Sequence, residues 1–123
     1  IEPFLLAASL RLLAAQRLVR RLCPECKRPH RENTRLAEQH GLPDARFFQP
    51  KGCPSCHGRG YRGRLAIHEV IPMEKFLPLI TDGAPLTEFM KLRDDEGLST
   101  LWQHGLITAG TGLTSIEEVS RVL

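Results

Sequence analysis

The chain has 123 residues, with 17 Lys and Arg against 14 Asp and Glu, four Cys and 41% hydrophobic residues. This length allows one ordinary domain or two very small ones, and the apolar fraction with a net charge of only +3 excludes an intrinsically disordered chain. Aromatic residues make up only 6% of the sequence, so we expect that something besides apolar burial holds the fold together.

The net charge is the sum of two opposed halves. Residues 1–64 carry 13 basic and 5 acidic side chains, and residues 65–123 carry 4 basic and 9 acidic ones. A basic first half and an acidic second half are therefore expected to present different surfaces.

The first segment is apolar and rich in helix-forming residues. Leu, Ala, Gln and Arg dominate residues 4–22, and Pro3 suits a first turn, so the sequence predicts a helix there. Charged residues interrupt the run before about 20 apolar residues accumulate, which favours a buried helix of a soluble protein over a membrane span. Because the chain starts at Ile1 without a leader, we expect it to be a piece of a longer protein that supplies the helix's packing partner.

Further elements follow from periodicity and from breaking residues. Thr114 and Glu117 have capping-box spacing, Pro78 predicts a short or kinked helix, and Trp102, Leu106 and Ile107 are predicted to lie in the core. The predicted elements are a short helix over 32–40, a strand or hairpin over 61–71, helices over 73–80, 85–96 and 99–109, and a last helix beginning at Thr114.

All four cysteines occur in two CxxC pairs. Cys23 and Cys26 form the first pair, and Cys53 and Cys56 form the second after 26 intervening residues. Two tight turns of this kind supply four thiolates to a tetrahedral structural zinc ion, and we predict such a site. With four protein ligands the metal has no open position for water, so we expect a structural role.

Other uses of the same residues stay open at this point. The cysteines could form disulfides, although a secreted scaffold of this size usually carries more bridges. Thioredoxin-like chemistry needs only one exposed CxxC, and iron fits the same four thiolates as zinc. His30 and His57 lie near the turns and could replace a ligand, but we expect both to be exposed loop residues.

Basic residues surround the cysteines in the sequence. Their simplest role is to offset the net charge of −2 on a zinc ion with four thiolates, and with Tyr61 the one nearby aromatic we predict no nucleic-acid partner. The residues are Lys27, Arg28, Arg31, Lys51, Arg59, Arg62 and Arg64. A second basic group, Arg17, Arg20 and Arg21, could contact nucleotide phosphate or a neighbouring subunit, but local ion pairing or solvation is favoured.

The sequence also lacks several catalytic motifs. It contains no GxxxxGK[ST] phosphate loop, no HExxH and no GxSxG. We therefore do not expect this chain by itself to hydrolyse ATP or to act as a protease.

Five ordered motifs resemble the C-terminal part of the type II secretion and type IV pilus assembly ATPases. They are QRLVRRLCPEC at 16–26, GCPSC at 52–56, GYRGR at 60–64, IHE at 67–69 and GLTSIEEV at 112–119. The resemblance implies a parent protein that is a hexameric bacterial ATPase, with ATP and Mg²⁺ bound by upstream motifs. It also implies a cytoplasmic position at the inner membrane, where the parent powers protein transport or pilus assembly.

The resemblance also implies an organisation for this chain. Residues 1–22 are expected to be the terminal helix of the nucleotide-binding domain, 23–71 a tetracysteine metal-binding subdomain with a short strand, and 72–123 a helical C-terminal subdomain. The predicted fold class is mainly α with a small β element. A zinc ion is expected to cross-link the tetracysteine subdomain, which a small helical C-terminal subdomain follows. The expected partners are neighbouring ring subunits and inner-membrane platform proteins, and the fragment alone can be monomeric.

Two other functions use the same motifs. The segment CPSCHGRG at 53–60 fits one CxxCxGxG unit of chaperone-type zinc domains that bind peptides, although those domains carry four copies. A zinc ribbon that binds nucleic acid is the remaining alternative, and it predicts strongly salt-dependent binding.

Overall fold

The first apolar segment is mainly a strand. In the computed structural model, which describes all residues from 1 to 123, helix α1 covers Pro3–Ser9 and strand β1 covers Leu12–Leu22. Leu10 has an extended backbone (φ −76°, ψ 124°) and ends the helix, so the helix predicted over 4–22 is wrong beyond residue 9. Helix propensity is a weak bias, and hydrogen bonding between β1 and strand β4, Tyr61–Pro72, overrides it.

The remaining helices are α2 at Asn33–Gln39, α3 at Leu77–Thr81, α4 at Leu86–Asp95, α5 at Leu101–Gly110 and α6 at Ile116–Val122. All but α3 lie within about two residues of their predicted positions, and α3 is a short helix that begins four residues later than predicted. Two short strands, β2 at Arg28–Pro29 and β3 at Phe48–Gln49, are not predicted, and a 3-10 turn covers Pro54–Cys56. Strands β2 and β3 are antiparallel, and together with β1 and β4 they make up two two-stranded sheets. About 40% of the chain is helical, and the two long strands make the β content larger than predicted.

The chain packs as two compact units, and each unit is built from two stretches of sequence. One unit contains residues 1–15 and 69–100, and the other contains residues 16–68 and 101–123. The first carries 4 basic and 8 acidic side chains, whereas the second carries 13 basic and 6 acidic ones. The subdomain boundaries predicted after residues 22 and 71 refer to parts of a longer parent protein. They are not boundaries of these packing units, and they stay a prediction.

The core of the unit formed by 16–68 and 101–123 joins three helices. Its buried residues are Leu36, Ala37, Phe47, Leu106, Ala109, Ile116 and Val119. Helices α5 and α6 pack so closely that a Cβ on Gly105 would lie 2.8 Å from Cγ1 of Val119. The core prediction is confirmed for Leu106 but wrong for Trp102, which is 38% exposed, and for Ile107, which is 50% exposed. Trp102 lies in the first turn of α5, where its ring meets the edge of the His40 ring with centroids 6.2 Å apart.

The unit formed by 1–15 and 69–100 has a smaller core. Met73 and Phe76 are buried, and the Phe76 ring stacks on Phe89 with centroids 6.4 Å apart. Helix α1 contacts α3 but has no buried residue, and Phe4 is 62% exposed, so the predicted burial of this helix does not occur within the chain. None of the helices has both the length and the apolar character needed to cross a bilayer.

Candidate metal centre

Two tight turns bring the four cysteines together at the ends of paired strands. Cys23 directly follows β1, and the Cys53–Cys56 turn lies five residues before β4. The amide of Cys23 donates to the carbonyl of Gly60 at 2.9 Å. This hydrogen bond connects the first cysteine turn to the segment that follows the second. Because β1 and β4 pair, the two cysteine pairs are held side by side although they are far apart in sequence.

The four sulfur atoms have the spacing of a tetrahedral site. All four Sγ atoms lie within 4.8 Å of one another. The separation is 3.7 Å between Cys23 and Cys53, 3.8 Å between Cys26 and Cys56, and 3.8 Å between Cys53 and Cys56. A tetrahedron with metal–sulfur bonds of about 2.3 Å has edges of about 3.8 Å, so the side chains fit a four-thiolate metal site.

The disulfide alternative does not occur. All four cysteines are free thiols. A disulfide requires two sulfurs about 2.05 Å apart, which is far shorter than the 3.7 Å between the Cys23 and Cys53 sulfurs. The arrangement therefore brings together four separate sulfur atoms rather than two covalent pairs.

Backbone amides point at the sulfurs. Gly60 N–H donates to the sulfur of Cys56 at 3.1 Å, and Cys53 N–H donates to the same sulfur at 3.3 Å. Gly52 N–H donates to the sulfur of Cys26 at 3.3 Å. Burial alone would raise the pKa of Cys56, but the hydrogen bonds from the two amides and from the neighbouring cysteine side chains together outweigh it, and the pKa falls to about 6. At Cys53 burial dominates and raises the pKa to about 11.

Two glycines around the second turn have no room for a side chain. Gly60 has φ +80°, and a Cβ there would lie 2.4 Å from Cβ of Pro50. Gly52 has φ +104°, and its Cβ would lie 2.7 Å from the carbonyl oxygen of Gly58. Both glycines are thus required for the backbone to approach closely enough to aim its amides at sulfur.

The two nearby histidines do not join the sulfur cluster. His57 is exposed, as predicted, with a left-handed backbone at φ +55°. The side chain of His30 is only 11% exposed, so the expectation of an exposed residue is wrong there. Nε2 of His30 pairs with Oε1 of Glu117 at 2.6 Å, and Nδ1 accepts from the amide of Glu32 at 3.1 Å. Both ring nitrogens are therefore engaged away from the cysteines.

A buried carboxylate lies in the same unit and is not predicted from the sequence. The side chain of Glu118 is fully buried and accepts four hydrogen bonds, two from Arg20 at 2.8 and 3.0 Å and two from Arg121 at 2.8 and 2.9 Å. Burial alone would raise the pKa of Glu118, but the hydrogen bonds and the charges of the arginines lower it to about 2.

The helix start beside this carboxylate is shifted by one residue from the prediction. Ser115, not Thr114, is the N-cap of α6, and its Oγ accepts from the amide of Glu118 at 3.0 Å. Thr114 instead donates its hydroxyl to the carbonyl of Arg20 at 2.7 Å. Ser115 and Glu118 have the same capping-box spacing as Thr114 and Glu117, so the sequence contains a signal for either pair and the spacing alone does not choose between them.

Arg20 and Tyr61 complete the connection between the strands and α6. The guanidinium of Arg20 lies 4.2 Å from the centroid of the Tyr61 ring, and the Tyr61 hydroxyl is 2.6 Å from Oγ of Ser115. The expectation of local ion pairing is therefore confirmed for Arg20. These contacts join β1, β4 and α6 beside the cysteine cluster.

Four close cysteines on two CxxC turns, joined to helices through paired strands, define a tetracysteine domain. The chain matches the family described as "Type II/IV secretion system protein" over residues 1–121, and it belongs to that family. The family resemblance read from the motifs is thereby confirmed.

Known relatives carry related names. The chain is 40% identical to the type IV pilus assembly ATPase PilB of Myxococcus xanthus, over 97% of this chain and 22% of that protein. It is 36% identical to the type II secretion system ATPase E of Vibrio cholerae and 40% identical to the type II secretion system protein E of Dickeya dadantii, in both cases over 99% of this chain and 25% of the relative. The chain thus spans about a quarter of the length of the curated relatives it matches.

Proposed function

We propose that Cys23, Cys26, Cys53 and Cys56 together hold one structural zinc ion. The observation that carries the proposal is the set of sulfur separations of 3.7 and 3.8 Å, which fit the edges of a zinc–thiolate tetrahedron. Zinc is favoured over iron because closed four-thiolate sites with a structural role most often contain zinc. The zinc ion supplies a cross-link between the two turns and leaves no position for a reacting water.

Backbone amides of the chain stabilise the negative charge of the proposed zinc–thiolate site. Four thiolates around a divalent ion carry a net charge of −2, and the amides of Gly52, Cys53 and Gly60 donate to the sulfurs. Amide donors of this kind stabilise thiolates and orient them, as outer-shell partners do in other metal sites. The glycines without room for a Cβ keep these donors in place.

We propose further that the whole protein is a hexameric ATPase that powers protein secretion or pilus assembly at the cytoplasmic face of the bacterial inner membrane. The names of the relatives and the match over residues 1–121 support this proposal. ATP and Mg²⁺ would be bound by other parts of the whole protein, because this sequence contains no phosphate loop.

Within that protein, the role we assign to this chain is structural and interaction-mediating. It would contact neighbouring subunits of the ring or the platform proteins of the inner membrane, and the zinc ion would keep its surface in one shape. A closed site suits this role because it stabilises a small domain without catalysing a reaction.

The test is complementation with the whole protein. Cys23→Ser and Cys53→Ser are each expected to abolish or severely reduce secretion or pilus assembly at normal protein levels. His57→Asn is the matched control, since it changes a polar residue of the same turn, keeps a residue that tolerates the left-handed backbone, and should behave as wild type. Full activity of both cysteine variants would contradict the proposed role of the site.

A further inference from the structure

An open cleft beside the second cysteine turn is lined by arginines without any carboxylate. Its volume is about 360 Å³, and its lining includes Arg20, Arg59, Arg62 and Arg64 but no Asp or Glu. Arg62 and Arg64 are two residues apart near the start of β4, so a strand places them on the same face. Three of the four arginines are therefore brought close together within six residues of sequence.

None of these three arginines forms an ion pair with a carboxylate, although Cys56, one of the proposed metal ligands, also lines the cleft. Arg20 pairs with the buried Glu118, whereas Arg62 donates to the neutral hydroxyl of Ser55 at 2.6 Å. Arg59 and Arg64 are exposed and make no ion pair. Arginines outside the cleft, such as Arg17 and Arg46, also lack an ion pair, whereas Arg35, Arg93 and Arg121 each lie within 4.0 Å of a carboxylate oxygen. The cleft is therefore distinguished by the closeness of three such arginines.

We propose that this cleft binds a phosphate group. Guanidinium groups match the geometry of phosphate and carboxylate alike, but a carboxylate offers only two oxygens and one charge. Three guanidiniums without a carboxylate partner suit a group with three or four oxygens and a charge near −2.

We expect the cleft to contact the phosphate group of the ligand and not a nucleobase attached to it. One face of the Tyr61 ring is already covered by Arg20, with its guanidinium 4.2 Å from the ring centroid, and the Tyr61 hydroxyl bonds to Ser115. We therefore expect the guanidiniums, rather than the Tyr61 ring, to contact the ligand. The source of the phosphate can be a small soluble compound or the phosphomonoester headgroup of phosphatidic acid, and the two are separated by experiment.

The experiment is a calorimetric titration of the full 123-residue chain with pyrophosphate at low ionic strength, together with flotation on vesicles of phosphatidylcholine with and without phosphatidic acid. Arg59→Gln/Arg64→Gln is expected to weaken binding at least tenfold. The matched control is Arg17→Gln/Arg46→Gln, which removes two charges from the same unit outside the cleft and should bind as wild type. Binding of pyrophosphate that the cleft variant weakens identifies a soluble source. Flotation that requires phosphatidic acid and is weakened in the cleft variant, without binding of pyrophosphate, identifies a headgroup.

Three results would overturn the proposal. The first is no binding by the wild-type chain to either probe, and the second is equal weakening in the cleft and control variants, which indicates unspecific attraction. The third is loss of metal from the cleft variant, measured by elemental analysis of each titrated sample. That last result would assign Arg59 and Arg64 to offsetting thiolate charge instead of binding a ligand.

Discussion

Removal of the proposed zinc ion is expected to unfold the unit formed by residues 16–68 and 101–123 at room temperature. Structural zinc sites of this type contribute on the order of 10 kcal/mol or more, and small domains have net stabilities of about 5 to 15 kcal/mol. The apolar core of this unit contains one buried aromatic residue, Phe47, so apolar burial alone supplies little free energy of unfolding. Chelation and Cys56→Ser should therefore have the same effect.

The measurement is thermal and urea unfolding followed by circular dichroism, with and without a strong chelator. The metal-loaded chain should unfold cooperatively, and the chelated chain should show no such transition for this unit. His57→Asn is the control, because it alters the residue next to Cys56 and leaves all four sulfurs in place. An unchanged melting temperature after the metal has been removed, verified by elemental analysis, would refute the structural role.

Glu118→Ala is expected to destabilise the same unit by about 3 kcal/mol, which is within the range for removing one partner of a buried ion pair. The substitution leaves the amide of Arg20 and two guanidiniums without their acceptor. The cost stays at the low end of that range because the side chains of Arg20 and Arg121 are 46% and 60% exposed and can bind water instead. Urea unfolding of the metal-loaded chain at pH 7 measures the difference.

The pH dependence of this difference has a defined sign. The pKa of Glu118 lies at about 2 in the folded chain, below its ordinary value of 4.5. A lowered pKa contributes stability that is fully present above the ordinary value and is lost as the pH falls toward the folded value. The gap between wild type and Glu118→Ala should thus be constant above about pH 5.5 and shrink below about pH 4.5.

Glu117→Ala is the matched control for that experiment. Glu117 lies on the same helix, is 55% exposed and pairs with His30, so its removal should cost less than about 1 kcal/mol. Because acid also releases metal from thiolates in every variant, the comparison is made between variants at each pH. Equal losses for the two variants, or a gap that does not change with pH, would contradict the role assigned to Glu118.

Local signals in the sequence predict much of this fold. Helices α2, α4 and α5 and strand β4 lie within about two residues of their predicted limits, because apolar periodicity and breaking residues such as Gly97 act over short distances. The closeness of the four cysteines also follows from the sequence, since each CxxC turn brings two sulfurs together on its own.

The errors arise where distant contacts override local preference. Strand β1 has helix-favouring residues, and only its pairing with β4, about 50 residues later, makes it extended. The burial of Glu118 depends on Arg20, which is 98 residues away, so a local spacing rule could not choose between Ser115 and Thr114 as the cap. The exposure of Trp102 likewise depends on which turn of α5 packs against the neighbouring helices, and local periodicity does not show this.

The most direct test of the metal site is X-ray absorption at the metal edge of the purified, metal-loaded chain. The sulfur positions predict one zinc ion per chain with four sulfur neighbours at about 2.3 Å and no lighter ligand. A nitrogen shell at about 2.0 to 2.1 Å would show that a histidine replaces a thiolate. That result, or a properly folded chain with no bound metal, would contradict the four-cysteine site.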